Sequence, residues 1–154
     1  MSLESVRVFL SENAPDIEVM ELGRSSETQS LAAAWGVKPA QIAKALTLRV
    51  DGRNILLMAC GDSRLDNKKI KDALGGKAKM LPPGEAAELT GHPIGGVCPF
   101  GLATPIPVYC DIQLKRFDVA VTGAGSTHSA IRINPLRMAS LVEAQWIDVC
   151  EAPA

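Results

Sequence analysis

A β-hairpin signal in the first half of the chain constrains its fold more than any other feature. Two β-rich runs, at residues 45–50 and 54–59, flank Asp51-Gly52, a dipeptide typical of a two-residue hairpin turn. Elsewhere the chain alternates between strand-like and helical patterns, which is typical of an α/β domain. An antiparallel hairpin within this alternation excludes a purely parallel, doubly wound sheet. The pattern therefore predicts a mixed sheet flanked by helices.

The remaining hydrophobic patterns predict additional helices and strands. Periods near 3.6 residues indicate helices, whereas short β-branched runs indicate strands. Predicted helices cover residues 3–12, 26–35, 39–43, 66–74, 83–90 and 134–143, with a short helical turn around Leu114. Predicted strands cover residues 17–22, 78–81, 106–110, 119–122, 129–133 and 146–149. Glycines at positions 36, 75 and 91 are placed to end three of the helices.

Length and composition are those of one globular domain spanning residues 1–154, with 47% hydrophobic and 21% charged residues. No apolar run is long enough to span a membrane, and residues 1–4 lack the pattern of a signal peptide, so we expect a cytoplasmic protein with no membrane partner. The four cysteines form no C-x-x-C pair, which argues against a zinc knuckle or a redox dithiol and favours reduced thiols.

The charge balance restricts the possible nucleic-acid partners. A net charge of −1 and a pI near 6.1 argue against wrapping of DNA or of a long RNA. They leave open an enzyme that grips one end of an RNA. A basic cluster could face phosphates or could be only a solvated helix face; its members are Lys68, Lys69, Lys71, Lys77 and Lys79.

A glycine–proline segment at residues 91–101 is the strongest candidate for a binding loop. It holds four glycines and two prolines in eleven residues. Glycine lets backbone N–H groups approach a ligand closely, and proline stiffens the turn. Such a loop suits an oxyanion or an ester. The alternative is a tight arch that only turns the chain.

The order and spacing of several motifs over residues 17–149 resemble the YbaK and prolyl-tRNA-synthetase-associated domain. The motifs are QIAKAL at residues 41–46, RLD at 64–66, ELTG at 88–91, GGVCPFG at 95–101, Thr104-Pro105 with Pro107, and GAGS at 123–126. The resemblance implies a single α/β domain with a mixed, partly barrelled sheet. It also implies a free-standing editing hydrolase that acts without metal or organic cofactor.

The substrate implied by the resemblance is a transfer RNA esterified with the wrong amino acid. For this family that is often proline tRNA carrying a small residue such as alanine, cysteine, serine or threonine. The acceptor end of the aminoacyl-tRNA would be the main partner, and prolyl-tRNA synthetase a second one. The sequence indicates neither the amino acid removed nor the oligomeric state.

Each expected site residue is carried over from the resemblance. Lys44 matches a lysine that lines the editing pocket, where it would hold the terminal ribose or a phosphate, or stabilise charge at the ester carbonyl. The alternative is a solvent-facing lysine at a helix–strand junction. The expected catalytic loop, whose amides approach the ester, follows the G-x-x-x-P pattern and comprises Gly95, Gly96, Val97, Cys98 and Pro99.

Further residues are expected to bind the substrate. The loop continues into Phe100 and Gly101, and the opposite wall is expected at Gly123, Gly125 and Ser126. Ser126 could also be only a turn residue. His128 could relay a proton or bind the amine or ribose of the substrate, or it could be a locally bonded loop histidine.

Two positions depart from the family pattern. Ala45 stands where cysteine-specific deacylases of the family carry threonine, and Cys98 stands where serine is common. A thiol in the loop raises the alternative of a cysteine hydrolase with His92 or His128 as base. A second alternative is a non-catalytic module that binds an aminoacyl-tRNA end or a synthetase.

Overall fold

The computed structural model describes residues 2–21, 35–93, 97–126 and 128–152. Its helices in this part of the chain are α1 (Ser2–Asn13), α2 (Asn67–Leu74), α3 (Pro83–Thr90) and α4 (Pro135–Leu141). Two short 3₁₀ helices lie at Pro39–Gln41 and Ile112–Arg116. The helix predicted at residues 26–35 lies outside the described residues, apart from its last one.

The strands divide between two sheets. They are β1 (Met20–Glu21), β2 (Ala43–Val50), β3 (Arg53–Cys60), β4 (Ala78–Met80), β5 (Val108–Asp111), β6 (Ala120–Gly123), β7 (Ser129–Ile133) and β8 (Gln145–Ile147). The larger sheet has the order β4-β2-β3-β5-β8 and the smaller one the order β1-β7-β6. A parallel bridge between Ile42 and Val121 connects them.

The predicted hairpin and the predicted mixed sheet are confirmed. β2 and β3 pair antiparallel over eight residue pairs, and Asp51 and Gly52 take φ angles of +49° and +78°, as the turn requires. β3 pairs parallel with β5, and β5 with β8. The described strands form two open sheets and no closed barrel.

Most predicted helices are confirmed with their caps. Asp66 accepts hydrogen bonds from the backbone N–H groups of Lys68 and Lys69 at the start of α2. α3 ends at Gly91, which takes a left-handed φ of +76°. α4 stops at Leu141, two residues earlier than predicted, because Glu143 has a φ of +54° that no right-handed helix accommodates.

Two predicted element boundaries are corrected. The strand predicted at residues 17–22 is confined to Met20 and Glu21 among the described residues, because Ile17 donates to the Ala14 carbonyl in a turn that follows α1. The helix predicted at residues 39–43 is a single 3₁₀ turn that ends at Gln41. β2 therefore begins at Ala43, and Lys44 lies within the strand instead of at a helix–strand junction.

The larger sheet has a hydrophobic core on each of its faces. On one face, residues such as Leu56 and Met58 pack with α1, α4, the smaller sheet and the segment around Cys98. On the other face, Leu57 and its neighbours pack with α2. This division decides which candidate site residues can meet, since successive strand residues point to opposite faces.

Candidate functional site

Lys44 lies on the face of the larger sheet that packs against α2. Its partner across the hairpin is Ala59, which belongs to the core on that face. The half-buried Lys44 side chain donates through Nζ to the Ser63 carbonyl at 2.6 Å and to the Gly61 carbonyl at 3.4 Å. Lys44 thus bonds to the turn that follows β3.

Cys98 belongs to the core on the opposite face, together with Phe100 and Ala124. The neighbour of Lys44 in β2, Ala45, packs against that same core. The structure therefore does not bring the Lys44 side chain together with the described part of the candidate loop. Gly95 and Gly96, two of the residues expected to supply catalytic amides, lie outside the described residues.

Cys98 connects the candidate loop to the glycine turn. Its thiol is fully buried and donates to the Phe100 carbonyl, with Sγ 3.7 Å from the oxygen. Cys98 packs in the same core cluster as Ala124 of the glycine turn, and the Gly125 backbone lowers the pKa of its thiol against the larger effect of burial. Cys98 thereby joins two glycine-rich segments that the sequence places about 25 residues apart.

His92 holds the same loop from the end of α3. Its Nε2 atom lies 2.7 Å from the Phe100 carbonyl oxygen and 3.6 Å from the Cys98 Sγ atom. Because a carbonyl oxygen only accepts hydrogen bonds, Nε2 carries the hydrogen. Burial lowers the pKa of His92, against a smaller opposite effect of the Phe100 carbonyl, so the imidazole is neutral at pH 7.

These contacts argue against Cys98 as a nucleophile. Burial raises the pKa of the Cys98 thiol to about 12, so the reactive thiolate is scarce at neutral pH. The His92 nitrogen nearest the thiol already donates its hydrogen to Phe100. A base needs a free lone pair at that position, and this tautomer does not provide one.

Close backbone packing fixes both ends of the loop. A Cβ atom on Gly91 would lie 2.8 Å from the Ala103 Cβ atom, and one on Gly101 would lie 2.7 Å from the Ser5 carbonyl oxygen. Gly101 also has a φ of +60°. Both positions therefore require glycine, and Gly101 lets the loop pack directly against α1.

The glycine turn at residues 123–126 is organised by hydroxyl groups. Ser129 donates to the Ala124 carbonyl, and the Ser126 and Ser129 Oγ atoms are 2.7 Å apart. Ser126 also accepts a hydrogen bond from the backbone N–H of the exposed His128. Gly125 takes a left-handed φ of +87° within this turn.

A cleft of about 690 Å³ opens between these two segments. It is lined by residues 87–88 of α3, by residues 91–93 and by residues 125–126. Leu3, from α1, contributes an apolar wall. The cleft thus combines the predicted Gly125 and Ser126 with residues near the start of the predicted loop.

The family model for the aminoacyl-tRNA editing domain matches residues 24–141. The chain belongs to the aminoacyl-tRNA editing domain family. Both glycine-rich segments around the cleft fall inside the matched range, whereas α1 precedes it.

The editing domain is similar over nearly its whole length to a protein of unknown function and to a solved structure. The uncharacterised protein YwhH of Bacillus subtilis is 45% identical over 154 residues, covering 98% of each chain. A crystal structure described as a candidate trans-editing enzyme for prolyl tRNA synthetase has a TM-score of 0.90 and 31% identity, also covering 98% of each chain.

The editing domain is also similar to part of a larger enzyme. The proline–tRNA ligase of Bacillus licheniformis is 31% identical over 100 residues, which cover 64% of this chain. The match spans only 18% of the length of that ligase.

Sequence reasoning missed several residues that shape the cleft. Leu3 and Ala87 lie on predicted helices, but no sequence pattern indicates that they meet at a site, and Glu88 stands out only as part of the ELTG motif. The sequence suggests His92 only as a base, whereas the structure places it as a donor to the loop. Hydrophobic periodicity places Leu3 on the packed side of α1, but it does not identify what α1 packs against.

Other observations concern partners and metals. Lys69 of the basic cluster donates to Asp148 and to the Cys150 carbonyl, whereas the other four lysines are exposed. Contact between this cluster and RNA phosphates stays a prediction. In the described part of the editing domain, no helix has the length and hydropathy to cross a membrane. In the same residues, no three His, Cys, Asp or Glu side chains are grouped as metal ligands.

Proposed function

We propose that this editing domain hydrolyses the ester bond of mischarged aminoacyl-tRNA as a free-standing enzyme. The expected substrate is proline tRNA carrying a small wrong amino acid, such as alanine, cysteine, serine or threonine. Residues 1–154 would act as one domain in the cytoplasm and would bind the acceptor end of the tRNA. Prolyl-tRNA synthetase would be the enzyme whose errors it corrects.

The observation that carries this proposal is the contact between the two glycine-rich segments beside the cleft. Cys98 and Ala124 pack in one core cluster, and the cleft is lined by residues 91–93 and 125–126. The family resemblance assigns the two segments to opposite walls of an ester-binding pocket. A cleft lined partly by Leu3 and Ala87 would receive a small apolar side chain.

The proposed chemistry makes modest demands on the protein. An aminoacyl ester is already activated, so hydrolysis needs a positioned water or ribose hydroxyl and donors for the developing oxyanion. The amides of residues 95–99 are the proposed donors. For Lys44, the proposed role rests on the resemblance alone, because its Nζ atom donates to carbonyls on the other face of the sheet.

The test is a deacylation panel of proline tRNAs charged with alanine, serine, threonine, cysteine or proline. We expect cleavage of one or two small non-cognate esters and retention of prolyl-tRNA. Ala87→Met should block the cleft and reduce the deacylation rate. Ala73→Met, at an exposed position of α2, is the matched control. If the protein binds RNA but cleaves no ester on these or on other tRNAs, the proposed enzyme is wrong and the alternative, a non-catalytic binding module, is supported.

A further inference from the structure

We propose that Glu88 binds the α-ammonium group of the aminoacyl ester in the cleft. This inference rests on the proposed function and identifies the group that recognises the amino-acid part of the substrate. Glu88 lies in α3, three residues before Gly91, and lines the cleft together with residues 125–126.

Glu88 is the one lining residue among those described that carries charge at neutral pH. The other described lining residues are apolar, glycine, the Ser126 hydroxyl or the neutral His92. Glu88 is exposed, and in the described part of the chain no hydrogen bond or ion pair engages its carboxylate. By contrast, Glu85, one turn earlier on the same helix, pairs with Arg49.

The chemistry of the substrate fits a single carboxylate at this place. An aminoacyl ester exposes an α-amino group, which is largely protonated near neutral pH, and the ammonium group has three donors but no acceptor. A carboxylate accepts these donors in charge-assisted hydrogen bonds. The neutral imidazole of His92 does not repel the ammonium group.

The position of Glu88 also fits the rest of the substrate. Ser126 lines the same cleft, and the ester is proposed to approach the neighbouring glycine segments. Binding of the amine at α3 would therefore direct the amino-acid side chain towards the apolar walls. A carboxylate at this position selects for a free amine, whereas wall size selects among side chains.

Binding of a non-hydrolysable analogue tests Glu88 without requiring catalysis. The probe is 3′-alanylamino-3′-deoxyadenosine, in which an amide replaces the ester, and its N-acetyl form has no ammonium group. Calorimetry with Glu88→Gln should show about tenfold weaker binding of the free-amine analogue and unchanged binding of the acetylated one. Glu85→Gln, the matched control, should leave the binding of both analogues unchanged.

Kinetics with alanyl-tRNA separate the two proposals. Glu88→Gln should raise KM about tenfold with a smaller effect on kcat, at an unchanged urea midpoint. If the wild type cleaves the ester and Glu88→Gln changes neither KM nor analogue binding, the Glu88 inference is overturned while the editing function stands. If binding depends on Glu88 but no ester is cleaved, amine recognition is supported and deacylation is not. If the wild type binds neither analogue and cleaves no ester, both proposals fail.

Discussion

The Nε2 atom of His92 lies 2.7 Å from the carbonyl oxygen of Phe100, and both residues are buried. This hydrogen bond connects the end of α3 to the candidate loop. Thr90 strengthens the same connection, since its hydroxyl accepts from the His92 backbone N–H and its carbonyl accepts from Ala103. The loop is therefore held in place by a neutral histidine in the core.

His92 should make the stability of the protein depend on pH. Its pKa is lowered in the folded state, so below about pH 6.5 the unfolded chain binds a proton that the folded chain does not. Stability should then fall as the pH drops from about 6.5 towards the lower folded pKa. Urea unfolding of wild type and His92→Leu at pH 7.5, 6.5 and 5.5 measures this dependence.

The variant should be less stable by roughly 1–3 kcal/mol at pH 7.5, because the Phe100 carbonyl loses its closer donor, His92 Nε2–H, and keeps only the Cys98 thiol. This difference in stability should narrow at pH 5.5, because only wild type carries the histidine whose lowered pKa destabilises the folded state in acid. Exposed His128→Leu is the control for removal of a histidine. A constant gap across the three pH values would contradict the inferred neutral state of His92.

Cys98→Ser should leave deacylation nearly unchanged. A serine hydroxyl can still donate to the Phe100 carbonyl, the acceptor of the thiol, so the stability change should stay within about 1 kcal/mol. Native Cys98 should also resist iodoacetamide at pH 8, because its pKa is raised to about 12. Single-turnover kinetics and mass spectrometry measure the two effects, and complete inactivation by serine would support a thiol nucleophile instead.

Lys44→Met separates a structural role from a catalytic one. The Ser63 and Gly61 carbonyls lose their donor, so we expect a stability loss of roughly 1–3 kcal/mol. The family resemblance further predicts a decrease in deacylation rate of about 10²–10³-fold, measured where the variant is fully folded. Lys68→Met, at an exposed position of α2, is the matched control. A rate decrease below about tenfold would remove Lys44 from the proposed chemistry.

Gly101→Ala should destabilise the protein more than an ordinary left-handed glycine does. Gly75→Ala, at a φ of +84° with no atom within 4 Å of the added Cβ, should cost about 1–2 kcal/mol from backbone strain. Gly101→Ala adds the clash with the Ser5 carbonyl, which should cost about 1–3 kcal/mol more. Thermal unfolding compares the stability of the two variants. Equal losses in stability would show that α1 moves away from residue 101 without a cost in free energy.

The sequence was most informative where a local rule decides the structure. The hairpin follows from Asp51-Gly52, the start of α2 from the Asp66 side chain and the end of α3 from Gly91, because each feature involves residues within one turn. The contact of His92 with Phe100 could not be found in this way. It depends on how an aperiodic loop folds back, and no hydrophobic period describes such a loop.

The face occupied by Lys44 depends on where β2 begins. Lys44 has the same parity as Leu46, Leu48 and Val50, which all pack on the α2 side. If the strand begins at Ala43, the alternation includes Lys44 and assigns its side chain to the α2 side. If a helix continues to Ala43, the alternation does not assign Lys44 to either face. The sequence shows the alternation but not the boundary between turn and strand. Predicted strand boundaries are uncertain by a few residues, and a shift of one residue moves a side chain to the other face of the sheet.

Leu3 gives the editing domain a wall that the family pattern does not specify. α1 lies before the matched residues 24–141, yet it borders the cleft and packs against Gly101. Under the proposed function, the preferred amino acid can diverge through substitutions in this helix while the reaction itself is retained. Exchange of α1 between relatives would then transfer substrate preference separately from catalytic ability.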